Sequence, residues 1–506
     1  MTQLAIWWIK RDARLADNTA LTAALPAHSF VLPVFCLEPS VRKATDFSLM
    51  HEHAQFQAVH HVRQRLRKRG SELFLGHGDA VAVFRELHQR FPFTHLYAHE
   101  EVGNAITFER DKAVAAWCRE AGVTYREFPQ SSVRRSGVNR DRLRELWQQR
   151  VVQALPLPAP DRIPQPASVR AFAAQTDFPS LTLPRTATLW QSVTEADADC
   201  TLSDFLNRRG LWYRGGISSP NTAFSAGSRL SVHLAWGTIS VRQVWHATTN
   251  RIAELALENH PELVRWKRSL EAFISRLHWR DHFSQRLESE PDLEFRSIHP
   301  AYRNIPYAND AALFAAWREG QTGFPLVDAV MRCLAATGFV NFRMRAMVTS
   351  IACHALHLDW TFIHPHLASV FRDYEPGIHF SQLQMQAGVV GWNPVRVYNP
   401  MKQLADWDAE CRFVKRWVPE LRGVPTEAIL NHHDTPLLHY PPPVVDFGPR
   451  TQQMKDVLYG IRKTQAAKDA TQAVYRKHGS RKKELARKSR PPKKPKGNPN
   501  QLSLFD

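Results

Sequence analysis

Residues able to do chemistry crowd the second half of the chain. Arg276, Trp279, Arg280 and Phe283 are spaced three and four apart, so a helix would carry them on one face and Leu270, Phe273, Ile274 and Leu277 on the other. That face sets cations beside rings, and the 15 tryptophans of this chain suit stacking surfaces or aromatic pockets. Asn341 and Arg345 stand one helical turn apart, and Asp373, Glu375 and His379 follow. Taken singly, each reads as an ordinary packed or solvated side chain. The six cysteines are dispersed with no C-x-x-C pair, which argues against a disulfide framework or a zinc site and for a reducing compartment. His51/His53 and His432/His433 lack further ligands around them and read as surface residues, so no metal is expected.

The elements that must position these groups differ between the two halves. Five short β-rich runs, Leu4 to Ile9, Ser29 to Leu37, Ser71 to Leu75, Thr94 to His99 and Val123 to Phe128, alternate with helix-length segments at about 51–69, 79–90 and 104–121. That alternation predicts a Rossmann-like α/β domain over 1–135 with a five-stranded parallel sheet, since right-handed crossovers need those helices. No G-x-G-x-x-G is present, so a ligand there would bind by another route. The stretch 136–199, rich in Pro, Ala, Ser and Thr from Leu155 to Ser192, predicts a connector running over the surface. From 200 to 465 the periodicity is helical, as at Val340, Met344, Met347, Val348, Ile351 and Ala355, which predicts an all-α domain.

The net charge of +18 favours an anionic partner, and much of it is local. From Arg476 to Asn500 there are eleven Lys or Arg against one acid, Glu484, a net +10. Residues 466–506 therefore predict a disordered basic tail. No stretch approaches the roughly 18 apolar residues of a membrane span, and the opening apolar run is too short for a signal peptide, so a cytoplasmic, monomeric protein without a membrane partner is expected.

Five segments carry a family resemblance. WWIKRDARLADNTA at 7–20, GSRLSVHLAWGTIS at 227–240, WRDHF at 279–283, WREGQTGFPLVDAVMRCLAATGF at 317–339 and FVKRWVPELRGVP at 413–425 resemble the photolyase and cryptochrome superfamily, in its order. The resemblance covers roughly residues 3 to 445. It implies that the helical domain binds FAD and that the α/β domain holds an antenna chromophore, methenyltetrahydrofolate or a flavin or deazaflavin. Glu101 matches an acid that holds a folate in some relatives, although a solvated loop acid is the commoner reading of a lone Glu. The four thiolates of an iron–sulfur cluster are missing, since only Cys411 follows residue 353.

By similarity, Tyr213, Gly227, Ser228, Leu230 and Ser231 meet the FAD phosphates through hydroxyl and backbone N–H groups, with Ser228 opening a helix. Trp279 lines a DNA-lesion cavity and Arg280 faces the flavin. Arg345 pairs with Asp373 near the isoalloxazine, beside Asn341, and Glu375 is the second acid at the ring. In that setting a buried Arg–carboxylate pair reads as part of a site. His379 aligns with the residue that faces flavin N5, where it could bias the redox state.

Both familiar lesion signatures are altered. The cyclobutane-dimer enzymes have an acid where this chain has Arg276 and Asn where it has Phe342, and the neighbouring histidines of (6-4) enzymes are Asn341 and Phe342 here. In the electron relay Trp360 aligns with the middle tryptophan, whereas Leu383 replaces the proximal one and Tyr307 lies near the outer one; Trp392 or a tyrosine offers another route. Gln501, Leu502, Leu504 and Phe505 at the end of the chain resemble the bacterial sliding-clamp-binding peptide. These features predict light-dependent repair of UV-damaged DNA by a bacterial, nucleoid-associated photolyase with Arg276, Trp279, Asn341 and His379 at its catalytic centre. The alternative is a cryptochrome-like blue-light receptor without repair activity.

Overall fold

Strand β1 (Leu4–Ile9) is buried on both faces, as a strand covered by helices on either side must be. Around it lie β2 (Phe30–Leu37), β3 (Phe74–His77), β4 (His95–His99) and β5 (Thr124–Phe128), all parallel in the order β3-β2-β1-β4-β5, with Ala5 paired to Val31 and His95. This is a computed structural model that describes residues 4–135, 142–183, 188 and 191–478. The alternation of side chains along β1 divides the core. Ala5, Trp7 and Ile9 face α1 (Thr19–Ala24) and α2 (Leu49–Arg67), while Leu4, Ile6 and Trp8 face α3 (Ala80–Arg90) and α4 (Ala105–Glu120). β3 begins three residues later than the sequence suggests, because Ser71 and Glu72 bond the connector instead of β2. The Ser71 hydroxyl donates to Ile163 O, and Glu72 N donates to Gln165 Oε1 at 2.8 Å.

The connector is more than a surface run. It contains α5 (Ala167–Ala173), buries Ile163, Val169 and Ala173, stacks Phe172 on Phe74 at 5.2 Å, and bonds β2 through Val31 N to Pro164 O at 3.0 Å. Apolar residues dispersed among prolines gave no periodic signal. They bury one at a time against the sheet edge.

The C-terminal half is helical, in line with its periodicity. The elements used below are α6 (Ser231–Trp236), α7 (Val241–Leu257), α8 (Leu263–Ser289), α9 (Phe342–His354), α10 (Trp360–Val370), α11 (Pro376–Gln386), α12 (Phe447–Lys463) and α13 (Gln465–His478). On α8, Leu270, Phe273 and Leu277 are buried, and on α9 Met344, Met347, Val348 and Ile351 are fully enclosed. α8 and α11 approach so closely that a Cβ on Gly377 would lie 2.6 Å from Ser284 Cα, so glycine is required there. Trp236 of α6 enters the core of the α/β domain beside Trp7, joining the two halves.

The ordered fold runs past the point where the apolar pattern fades. Helix α13 buries Ala467 and places Thr471 Oγ1 3.0 Å from His299 Nε2, so disorder does not begin at 466. One buried alanine, one hydroxyl and the Lys477–Glu290 ion pair dock it, a signal too sparse to stand out among basic residues. Gln501, Leu502, Leu504 and Phe505 lie outside the described residues.

Candidate functional site

Helix α8 supplies the first wall. Arg276, Trp279 and Arg280 are partly exposed on one face, Phe283 lies below Trp279 with ring centroids 5.5 Å apart, and the apolar stripe is turned into the core. Asp281 anchors the helix to the α/β domain: its buried carboxylate accepts from Ser132 N at 2.9 Å and Ser132 Oγ at 2.6 Å.

Two guanidinium–carboxylate pairs form the centre. Arg345 reaches Asp373 with both terminal nitrogens, at 2.9 and 3.0 Å, while its Nε donates to Val340 O at 2.9 Å. The fork geometry of arginine makes this bidentate bond directional. Arg280 Nε lies 3.0 Å from Glu375 Oε2, and Arg280 also reaches Asp281 at 3.3 Å. Burial alone would lower the Arg280 pKa, but Glu375 and Asp281 outweigh it and hold the group firmly charged. Arg280 therefore grips the acid that the resemblance placed at the flavin ring.

Asn341 precedes α9 without a side-chain capping bond and donates from Nδ2 to Ile217 O at 3.0 Å and Ser218 O at 2.7 Å, pinning the turn that follows Tyr213. Tyr213 is buried against Phe205 and Phe273, and its hydroxyl is within hydrogen-bonding reach of Arg276. The segment Gly227–Ser231 runs into α6, but Ser228 does not open that helix. The helix begins at Ser231, with Leu230 in the capping position, while Ser228 Oγ accepts a long bond from Leu230 N at 3.4 Å. Arg209 binds the carbonyls of Gly227 and Ser228, Gly227 is extended and Arg229 is left-handed at φ 59°, so no helix starts before Ser231.

His379 sits on α11 among Tyr374, Phe371, His364 and Phe380, with ring centroids 5.1 to 6.1 Å away. Burial pushes its pKa well below 6.5, so the ring is neutral. Among the described residues its Nε2 and Asn341 Oδ1 are buried without a partner. Buried polar atoms rarely stay unpaired, so a group with matching donors or acceptors fits against them. A flavin, with its ring nitrogens and carbonyls, meets that requirement, and the two ion pairs provide a polar rim for it.

The relay positions are also defined. Trp360 is buried and donates from Nε1 to Ser297 Oγ at 3.1 Å; Phe380 and His364 lie beside it at 6.5 Å. Leu383 is buried and aliphatic, and the Tyr307 hydroxyl is buried without a partner among the described residues.

A cavity opens at the carboxyl ends of β1 and β2, beside β4, where the strand order reverses and ligands gather in sheets of this kind. It encloses about 60 Å³, and its lining includes Arg11, Glu38, Asp46, Glu101, Arg110 and Tyr374. Glu101 is not a solvated loop acid: it is buried and paired with Arg110 at 2.7 Å, and Arg110 also holds Glu38 at 3.0 Å. His51 likewise is no surface residue, but is buried where the halves meet, 2.9 Å from Phe371 O. His432 is enclosed beside Tyr440. Single polar residues inside apolar runs look the same in sequence whether they face water or an interface. Tyr374, between the two acids of the site, carries no local signal in the sequence, because its hydroxyl bonds Asp46, more than 300 residues away in the chain.

Residues 5–142 match the DNA photolyase family model, and residues 273–459 match the FAD binding domain of DNA photolyase. The chain is 28% identical to the deoxyribodipyrimidine photo-lyase of Synechococcus over 89% of this chain and 95% of the relative. It is also 28% identical to cryptochrome-1 of Sinapis alba over 85% of this chain and 89% of the relative. Its fold is similar to that of an archaeal photolyase from Sulfolobus tokodaii described with two FAD molecules, with a TM-score of 0.73 and 26% identity over 90% of this chain and 100% of the other. The chain belongs to the photolyase/cryptochrome family, with a Rossmann-like α/β domain and a helical FAD-binding domain. Tyr213 and Gly227–Ser231 lie outside both matched segments.

Proposed function

We propose that this chain is a light-dependent DNA photolyase that reverses a pyrimidine dimer. The observation that carries the reading is the α8 face, where the partly exposed Trp279 stands one residue from Arg280, itself bound to Glu375 at the candidate flavin site. A lesion stacked on Trp279 would thus lie next to the flavin. The dimer must leave the helix to reach such a cavity, and stacking on a ring offsets part of the cost of flipping it. When bound, reduced and excited FAD supplies an electron that the dimer returns after its bonds break. Arg345, Asp373, Arg280 and Glu375 hold that cofactor in register, and Asn341 fixes the adjoining turn. His379 keeps a neutral nitrogen at the ring, and Arg276 meets the phosphate or the dimer.

The α/β cavity is the antenna site in this reading. Methenyltetrahydrofolate and a flavin or deazaflavin are the candidate occupants, Glu101 matching a folate-holding acid and the archaeal relative being described with a second FAD. Residues 501–505 would dock the enzyme on a replication clamp, and a pull-down with purified clamp and a Leu504→Ala, Phe505→Ala variant tests this. A receptor function is favoured by one feature, the loss of both lesion signatures at Arg276 and Phe342.

The deciding experiment illuminates the reduced protein with oligonucleotides carrying either a cyclobutane dimer or a (6-4) product. Loss of one lesion supports the photolyase reading and names the substrate. Intact lesions beside a reversible flavin photocycle move the assignment to a receptor.

A further inference from the structure

Resting on the reading of a bound flavin, we propose that Tyr374 is a redox-active donor that reduces the photoexcited flavin, with Asp46 as its proton acceptor. Tyr374 lies in the chain between Asp373 and Glu375, the acids of the two central ion pairs, and its side chain reaches the α/β domain. Its hydroxyl donates to Asp46 Oδ2 at 2.6 Å, and its ring meets the His379 ring edge-on at 5.1 Å. It therefore bridges the interface between the halves: a carboxylate of the α/β domain on one end, the candidate flavin neighbour on the other. Backbone and rings fix it in place, through Arg11 bonding its carbonyl at 2.7 Å and His51 stacking at 5.7 Å.

A phenol becomes a far stronger acid when it loses an electron, so oxidation proceeds readily only where a base waits for the proton. Among the described tyrosines near the site this requirement is selective. Tyr307 has a buried hydroxyl with no partner, and Tyr213 faces the cation of Arg276. Burial raises the Tyr374 pKa well above 10, so the proton stays on oxygen in the dark. The usual aromatic step next to the flavin is missing at Leu383, and Trp360 is separated from His379 by His364 and Phe380, neither an easy donor.

The step balances as follows. Tyr374 gives one electron to the photoexcited, oxidised isoalloxazine, its O–H bond breaks, and the proton moves to Asp46 Oδ2 to form the carboxylic acid. Tyr374 is left as a neutral phenoxyl radical, and the flavin holds one added electron. Charge recombination or an external thiol restores the phenol as Asp46 returns the proton.

The test uses the purified flavoprotein with oxidised FAD and ring-deuterated tyrosine, under laser flash and low-temperature electron paramagnetic resonance. The expected result is a tyrosyl signal narrowed by the deuterium. That signal should be lost in Tyr374→Phe, strongly reduced in Asp46→Asn, slowed in deuterated water, and retained in Tyr440→Phe, whose hydroxyl pairs with Asp328 elsewhere in the core. In the dark, the downfield proton resonance of the Tyr374–Asp46 bond should vanish in both site variants. A tryptophan radical alone, unchanged in Tyr374→Phe and lost in Trp360→Phe, overturns the proposal. So does a bound flavin with no light-induced signal. Protein that binds no flavin at all overturns the flavin-site reading itself, a distinct result visible before any flash.

Discussion

His51→Gln should flatten the acid limb of this protein's stability. His51 is enclosed where α2 meets the helical half, with Nε2 bonded to Phe371 O and Nδ1 lacking a partner. Burial pushes its pKa down to about 4, and the nearby Arg11 cation adds to the effect, against the bond to Phe371. Above the ordinary value of 6.5 the ring is neutral in both folded and unfolded chains, and the stabilisation is complete. As pH falls below 6.5 the unfolded chain takes up a proton that the folded one refuses, so stability is lost until about pH 4 and then levels off. At about 1.4 kcal/mol per pH unit, a gap from 6.5 to about 4 amounts to about 3 kcal/mol, of which about 2.5 kcal/mol is gone by about pH 4.5. Glu288 and Glu294 act in the opposite sense, since burial raises each to about 7 and the folded chain then holds the extra protons. The total acid limb mixes these contributions, so the informative quantity is the difference between wild type and His51→Gln, whose amide still reaches the Phe371 carbonyl. Urea unfolding followed by tryptophan fluorescence between about pH 7.5 and about pH 4.5 measures it. Between those pH values wild type should lose about 2.5 kcal/mol more stability than the variant. Parallel curves would show that the interface opens to water before His51 titrates, and would refute the argument from burial.

Further predictions concern the site. Arg345→Met removes the partner of a nearly buried carboxylate; with the guanidinium a quarter exposed, the cost should be about 2 to 3 kcal/mol, below the 3–5 of a fully enclosed pair, and gel filtration should show flavin lost from the protein. Asn341→Ala frees the carbonyls of Ile217 and Ser218 and should cost about 2 kcal/mol by thermal unfolding, with weaker flavin retention. Asp281→Asn should loosen the Ser132 contact, lowering stability by about 2 kcal/mol and speeding proteolysis between the halves. Arg276→Ala should leave flavin absorbance intact while lowering the yield of lesion reversal; an unchanged yield would remove Arg276 from the substrate cavity.

The fold was readable where burial repeats with a period. Strands β1, β2, β4 and β5 and the stripe on α8 sit close to where alternation and three-four spacing put them, because packing on two faces or one stripe dictates those patterns. The candidate site was readable only through matched motifs. Arg345 and Asp373 do meet, but nothing in their spacing joins them, and Arg280 turned out to hold Glu375 directly. Pairings across the chain, such as Tyr374 with Asp46 or Ser132 with Asp281, carry no local signature, since each residue alone suits a loop. The connector and α13 were misjudged for one reason: isolated apolar residues dock segments whose average composition looks solvated.

The connector also bears on how the chain can be divided. Because Pro164, Ile163 and Phe172 complete the edge and flank of the sheet, a cut before Leu155 would leave the first fragment with bare apolar surface and an unpaired strand edge. A cut after Ala173 would keep that covering with the sheet but still strip away Trp236. Each fragment would carry apolar surface that the other covers. Co-expressed pieces divided just after the covering helix would thus be suited to reassembly, making this chain a natural candidate for a split reporter in which flavin colour returns only on reunion.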